Sequence, residues 1–128
     1  MFIRFVCGEI DEASGVAGGL FCAVTQLKDD HYMPKYELEA VDEIVLWFER
    51  NLVSPFEYLP DVARYHYAIC WFKPTACEHL AKAWELVTIL ERNDILIWTI
   101  KSHRAGRVYY EDEVQIFALP DRHVRRQL

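Results

Sequence analysis

The chain of 128 residues is long enough for one domain with its own core, because folding at this size buries roughly two-thirds of the unfolded surface. Its hydrophobic content is 52%, and its formal net charge of −6 at pH 7 argues against nucleic acid as a partner. No stretch approaches the roughly 18 apolar residues of a membrane span, and no charged-then-apolar leader opens the sequence. We therefore expect a cytoplasmic protein that does not enter a membrane.

The first half of the sequence predicts one strand followed by two helices. Met1–Cys7 alternates in polarity as a strand does, and the glycine-containing stretch 8–19 predicts a loop. Helical spacing of apolar residues predicts a short helix over Gly19–Lys28 and a longer one from Pro34 or Lys35, since proline suits a first turn. The residues after the longer helix, up to residue 62, predict a loop with two prolines. The buried stripe of the longer helix is expected to comprise Val41, Ile44, Val45, Phe48 and Leu52.

The middle of the sequence predicts a strand, a helix and a second strand. Tyr65–Phe72 and Ile95–Ile100 are nearly continuous in apolar and aromatic residues, which is typical of strands buried on both faces. Between them Thr75 and Glu78 have the spacing of a capping box, and Asn93-Asp94 predicts the helix end. Short connections then predict a right-handed βαβ crossover, with the two strands paired in parallel at the centre of the sheet.

The last part of the sequence predicts two further strands, Arg107–Tyr110 and Val114–Leu119, around Glu111-Asp112-Glu113. Three consecutive acids leave two interpretations open, a hairpin turn or a single bent or bulged strand. The complete order is then β-α-α-β-α-β-β-β. It indicates a single α+β domain over residues 1–120, with helices packed on a mixed sheet of four to five strands, followed by a short polar tail over residues 121–128.

Negative charge is concentrated in the first half of the chain. Residues 1–63 carry twelve acidic against four basic side chains, whereas residues 64–128 carry eight against ten. The outer face of the longer predicted helix is therefore anionic and favours a basic protein partner; the other interpretation is a solvated face that keeps the domain soluble. Aromatic residues in loops can anchor such a partner. The candidate partner-binding residues are Glu39, Asp42, Glu43, Glu49, Phe56 and Tyr58.

These features favour a non-enzymatic cytosolic module that binds a protein, such as an immunity protein, an antitoxin or a regulator. Cys70, Cys77 and His79 fall in different predicted elements and lack the spacing of a zinc site, so we expect no metal and no cofactor. Together with Cys7 and Cys22, the two cysteines are expected to be reduced thiols of a cytoplasmic protein. The sequence leaves a homo-oligomer open.

One constellation of residues suggests an enzyme instead. Arg4 lies on the first predicted strand, and Glu111 and Glu113 precede the last. This arrangement resembles that of ADP-ribosyltransferases, in which an early-strand arginine contacts the NAD phosphates and a Glu-x-Glu pair precedes a late strand. The resemblance implies an NAD-using transferase in which Glu113 holds the nicotinamide ribose. Where that family has a Ser-Thr-Ser strand, this chain has Cys70-Trp71-Phe72, and the other interpretation of both glutamates is solvated carboxylates at a hairpin tip.

A second resemblance concerns three short blocks in the second half of the chain. Trp71-Phe72-Lys73, Ala76-Cys77-Glu78-His79 and the segment Tyr109–Gln115 are similar to blocks in a group of small bacterial proteins to which no activity is attached. This resemblance implies a shared fold and no specific function.

Overall fold

Six strands and four helices make up the part of the chain that the computed structural model describes, residues 1–10, 17–30, 33–55, 59–60 and 68–125. They form an α+β fold, as the sequence predicts. None of these helices combines the length and the apolar character needed to cross a bilayer. In chain order the elements are β1 (Phe2–Ile10), β2 (Ala17–Gly19), α1 (Leu20–Asp30), α2 (Lys35–Asn51), β3 (Ile69–Phe72), α3 (Cys77–Arg92), β4 (Ile97–Ser102), β5 (Arg107–Glu111), β6 (Gln115–Leu119) and α4 (Arg122–Arg125).

Strand β1 is central to the sheet and has neighbours along both edges. One edge pairs with β4 over residues 2–7. The other edge pairs with β3 at Ile3↔Phe72 and with β2 at Val6↔Gly19. Strand β6 lies beyond β3, and β5 lies beyond β6. Every pair among the described strands is antiparallel.

The parallel pairing predicted for the two strands that flank α3 is wrong. Strands β3 and β4 run in the same direction, because each is antiparallel to β1, but β1 lies between them. Their apolar composition carries no information about which strand is the neighbour. The burial on both faces that it predicts is wrong for β4, in which Trp98 is 53% exposed. The predicted count of four to five strands is too low, because Ala17–Gly19 of the predicted loop pairs with β1 as β2.

The larger core cluster unites residues of α1, α2 and α3 with residues of one sheet face. The spacing in the sequence predicts the start of α2 at Lys35 correctly, and it also predicts most of the buried stripe of this helix. Val45 and Leu52 of that stripe are only partly buried. Burial of each large apolar side chain contributes about 1.5–3 kcal/mol. The buried residues of α2 are Glu37, Val41, Ile44 and Phe48.

A smaller apolar cluster occupies the opposite face of the sheet. Trp71 and Phe72 are adjacent in β3 and therefore point to opposite faces, and only Phe72 belongs to the larger cluster. Val124 of α4 is fully buried in the smaller cluster, so packing continues into the segment predicted as a polar tail. The cluster comprises Ile69, Trp71, Ala105, Ile116, Ala118 and Val124.

Helix α3 begins differently from the sequence-based expectation, but it ends at Arg92, next to the predicted Asn93-Asp94. It starts at Cys77, and its N-cap residue Ala76 offers no side-chain cap, so the predicted capping box of Thr75 and Glu78 is wrong. The main chain forms a turn here instead, in which the Cys77 N–H donates to the Thr75 carbonyl oxygen at 2.9 Å. After the helix, Asp94 has a φ of 65°, which is the left-handed conformation that commonly follows a helix C-terminus.

The acidic segment after β5 forms a hairpin turn. The Asp112 N–H donates to the Gln115 carbonyl oxygen at 3.0 Å, and β5 and β6 pair on either side. A shift of register between Val108 and Tyr110 also places a bulge within β5. Of the two interpretations that the sequence leaves open, the hairpin turn is confirmed, and the bulge lies in the strand before it.

Candidate functional site

A cavity opens where β1 and β3 separate. The two strands pair at Ile3↔Phe72, and from Val6 onward the same edge of β1 pairs with β2. Arg4 and Phe5, the β1 residues between these two points, line a cavity of about 580 Å³. This volume lies within the range of about 300–1,000 Å³ that is usual for small-molecule sites.

Most of the cavity wall is apolar. It is built by the start of α1, the second half of α2 and the sheet face that also carries Phe72. Phenylalanine residues come from five different elements, so a bound molecule would meet aromatic surface on several sides. Apolar residues of this wall include Phe5, Leu20, Phe48, Leu52, Phe72 and Phe117.

Arg4 contributes a buried positive charge to this wall. Its exposed fraction is 7%, and its guanidinium is permanently protonated. The Nη2 atom lies 3.8 Å from the position that a β-carbon on Gly19 would occupy. Gly19 directly precedes α1, so the guanidinium lies beside the N-terminal end of that helix. The first N–H groups of a helix have no intrahelical acceptor and carry partial positive charge, so both features favour an anion at this end of the cavity.

A chain of hydrogen bonds fixes the polar groups at the β3–β6 side of the cavity. The Cys70 thiol donates to Gln115 Oε1 at 3.0 Å. The Gln115 Nε2 group donates to the Val53 carbonyl oxygen at 2.6 Å and to Asp112 Oδ2 at 3.3 Å. Gln115 is 1% exposed, so each of these bonds satisfies a polar group that is shielded from water. The network ties the segment after α2 to the β5–β6 hairpin.

Asp112 anchors this network from the hairpin turn. Burial alone would raise the pKa of its carboxyl, but hydrogen bonds from the Val114 and Gln115 N–H groups, the Tyr110 hydroxyl and the Gln115 side chain lower that pKa below 3.8. The Tyr110 hydroxyl donates to Asp112 Oδ2 at 2.9 Å, and this bond raises the pKa of Tyr110. The carboxylate is therefore charged at neutral pH and holds the turn closed.

Cys70 is the thiol of this network and stays protonated at neutral pH. Burial raises its pKa to about 12, the positive charge of Arg4 lowers it, and the negative charge of Asp112 raises it. Thiolates and not thiols are nucleophiles, so Cys70 acts here as a hydrogen-bond donor. The other thiol on the wall is Cys22, which is exposed in the first turn of α1. The polar groups of the cavity wall are therefore suited to holding a ligand through hydrogen bonds and charge.

The chain was compared with protein-family models, curated proteins and solved structures. No match was found.

The three residues that resemble the transferase arrangement have different surroundings. Arg4 lines the cavity, whereas Glu111 and Glu113 are not among the described residues of its wall. Glu111 lies on β5, separated from β1 by β3 and β6, and forms an ion pair of 2.5 Å with Lys73. Glu113 is exposed in the hairpin turn. The structure does not bring the glutamates to the cavity wall, and an NAD-using activity stays a prediction.

The predicted acidic surface lies on the outer side of α2. Its four acids are exposed, and Leu46 lies among them with 42% of its surface exposed. Lysines partly neutralise the face: Lys28 pairs with Asp42 at 2.6 Å, and Lys35 lies 3.9 Å from Glu39. Phe56 and Tyr58 lie outside the described residues. The acids of this face are Glu39, Asp42, Glu43 and Glu49.

Metal ligands are not clustered in the part of the chain that the structure describes. No group of three His, Cys, Asp or Glu side chains among those residues could hold a metal ion. The His79 Nε2 atom lies 2.7 Å from the Asn51 carbonyl oxygen, so this ring joins α3 to the end of α2. All four cysteines are free thiols.

Two residues of the cavity were not singled out from the sequence as ligand-binding groups. Gln115 interrupts a predicted strand that is otherwise apolar, whereas Cys70 belongs to the apolar run of its predicted strand. A polar residue in a buried strand needs a hydrogen-bond partner, so its presence there was a usable signal. The hydrogen bond between Cys70 and Gln115 could not be predicted from the sequence, because it depends on the register of β3 and β6.

Proposed function

We propose that the protein binds a small, largely apolar organic molecule in the cavity between β1 and β3 and does not convert it chemically. The observation that carries this proposal is the cavity of about 580 Å³, which has apolar walls and a few fixed polar groups. Sites of this form are typical of small-molecule binding in proteins. Within the proposal the protein is a cytoplasmic regulatory module whose ligand stabilises its folded state.

The fixed polar groups support binding over nucleophilic chemistry. The oxygen and the nitrogen of the Gln115 amide already form hydrogen bonds within the protein, and the Cys70 thiol is protonated at neutral pH. The guanidinium of Arg4 stays protonated near neutral pH, so it cannot act as a general base. These groups can orient a molecule through hydrogen bonds and charge while aromatic side chains shield it from water.

Binding of a neutral apolar dye tests this proposal. N-phenyl-1-naphthylamine fluoresces strongly when it leaves water, so the purified protein should raise its emission in a saturable way. Val53 lines the cavity and is 54% exposed, so Val53→Trp should fill the entrance without removing a core contact. We expect this variant to weaken dye binding by about tenfold, because the added ring occupies ligand volume.

The matched control is Val108→Trp. Val108 is 45% exposed on β5 and is not among the described residues of the cavity wall. This variant should bind the dye as the wild type does. Equal binding by wild type and Val53→Trp, or no saturable binding by the wild type, would contradict the cavity as the ligand site.

The second candidate is a non-enzymatic protein-binding function of the acidic face of α2, as in immunity proteins and antitoxins. The observation that favours it is the exposure of Leu46 within a group of acids. An exposed apolar side chain within a mostly acidic face is suited to a basic protein surface. Glu43 on this face is free to contribute to such a contact as an exposed side chain.

Charge reversal tests this second candidate. The triple variant Asp42→Lys, Glu43→Lys and Glu49→Lys should lose any partner that the tagged wild type captures from its native cell. The control is Glu85→Lys with Glu91→Lys, which makes changes of the same kind on exposed positions of α3. A partner that the triple charge-reversal variant of α2 still captures does not bind this face.

A further inference from the structure

We infer that the ligand of this cavity is an amphipathic organic anion, whose carboxylate binds Arg4 and whose apolar body lies against the phenylalanine rings. The inference rests on the proposed function, because it specifies the ligand of the same cavity. It goes further by assigning a charge and an orientation to that ligand.

The side chain of Arg4 supplies the recognition. It is 93% buried yet forms part of the cavity wall, so a ligand atom can reach it only inside the cavity. A guanidinium has five N–H donors in a planar fork, so it can keep its contacts within the protein and still donate to a ligand. Carboxylates accept two parallel hydrogen bonds from this fork, which fixes their orientation as well as their position.

The distribution of charge around the cavity determines the orientation of the bound ligand. Arg4 is the buried charged residue among the described residues of the wall, whereas Glu49 on α2 is an exposed acid of the same wall. A carboxylate is therefore attracted to the interior and repelled from the exposed side. The charge of Arg4 also acts on β3, since it opposes the effect of burial on the pKa of Cys70.

The N-terminus of α1 adds to the positive charge at this end of the cavity. This helix has 11 residues, and no acidic residue lies in its first turn. Its N-terminal N–H groups lie beside the Arg4 guanidinium, because Gly19 immediately precedes the helix. Their partial positive charge strengthens the preference for an anion at Arg4.

The apolar part of the wall accommodates the rest of the ligand. Phe48, Phe72 and Phe117 line the cavity together with aliphatic side chains of α1 and α2. A hydrocarbon or aromatic body buried there would contribute roughly 25 cal/mol for each Å² removed from water. Highly polar anions such as inorganic phosphate lack this contribution and are not the expected ligands.

Two competitors of equal chain length separate the role of charge from that of apolar contact. Decanoate and 1-decanol are each titrated against protein loaded with N-phenyl-1-naphthylamine at about pH 7. Wild-type protein should release the dye at a decanoate concentration about tenfold below that of 1-decanol, because only the carboxylate pairs with Arg4.

Substitution of Arg4 should abolish this preference. In Arg4→Met the aliphatic stem is kept and the charge is lost, so 1-decanol should displace the dye at least as well as decanoate. Arg4→Lys should retain part of the preference, since a lysine supplies charge without the bidentate fork. Arg107→Met is the matched control, because Arg107 is an exposed arginine on β5 that stacks on Tyr109.

The outcomes distinguish this inference from the proposed function. Failure of the wild type to bind the dye would contradict the proposed function itself. Dye binding with equal displacement by decanoate and 1-decanol would overturn the anion and leave the cavity as an apolar site. A preference that survives in Arg4→Met would overturn the assignment of the carboxylate to Arg4. The wild-type competition decides the first two outcomes even if Arg4→Met does not fold.

Discussion

The side-chain amide of Gln115 donates a hydrogen bond of 2.6 Å to the main-chain carbonyl oxygen of Val53, which lies 62 residues earlier in the chain. Gln115 is the first residue of β6, and Val53 follows the end of α2. This bond holds the Val53 segment of the cavity wall against β6. The shape of the wall there therefore depends on a residue whose own side chain is almost completely buried.

Loss of the Gln115 amide should destabilise the fold. Gln115→Leu keeps a similar size but leaves the Val53 carbonyl and the Cys70 thiol without their partner, so we expect a loss of about 1–3 kcal/mol in the free energy of unfolding. Urea denaturation followed by circular dichroism measures it. The control is Asn51→Ala, which removes an exposed bond to the Trp47 carbonyl oxygen and should cost less than about 0.5 kcal/mol. Equal stability of Gln115→Leu and wild type would show that the network does not support the fold.

Asp112 should make stability fall in acid. Its pKa in the folded protein lies below the ordinary value of 3.8, so its contribution is fully present above 3.8 and is lost as the pH falls through the folded pKa. Asp112→Asn should be less stable than wild type at neutral pH, and the difference should shrink in more acidic solution. Unfolding curves at several pH values measure it. Glu113→Gln, an exposed change in the same turn, should keep the acid dependence of the wild type. A stability difference between Asp112→Asn and wild type that stays constant with pH would contradict the prediction.

The four thiols should react with iodoacetamide at different rates in the folded protein. With a pKa of about 12, only about one Cys70 side chain in ten thousand is ionised at pH 8, and burial also limits access. Cys22 and Cys77 are exposed and should be labelled first. Mass spectrometry of digested samples gives the order. Decanoate should slow labelling of Cys22 on the cavity wall and leave Cys77 unchanged, and rapid labelling of Cys70 would contradict the buried network.

Gly106 should tolerate no side chain. Its φ is 107°, and a β-carbon there would collide with the Leu119 carbonyl oxygen. Gly106→Ala should therefore lower the free energy of unfolding by about 1–3 kcal/mol, because it strains the main chain at the start of β5. Gly8→Ala is the control, since a β-carbon there makes an ordinary contact of 3.4 Å with the Trp98 ring. Thermal melts of the two variants should differ clearly, and similar melting temperatures would refute the strain.

The helices could be predicted because their signals are local. Pro34 precedes α2, and apolar residues recur at helical spacing along it. The neighbours of β1 could not be predicted, because Ile3 pairs with Phe72 on one side and Lys101 on the other. No pattern in a short window carries information on contacts between segments so far apart.

The candidate site was accessible from the sequence only in part. Arg4 was recognisable as a charged residue in an otherwise mostly apolar strand. The cavity beside it results from the divergence of β1 and β3, which follows from tertiary packing. Gln115 acquires its role only because it lies opposite Phe72 in the β3–β6 register. The chemistry of single residues was therefore visible, but the empty space between elements was not.

The central position of β1 has a consequence for the synthesis of the protein. This strand is synthesised before its partners, which end at Phe72 on one edge and at Ser102 on the other. Such distant pairings give a high contact order and slow the closing of the sheet. Until then, an apolar strand has both edges open to any similar chain nearby. The strand that organises the finished sheet is thus the one most exposed to aggregation while the protein is being made.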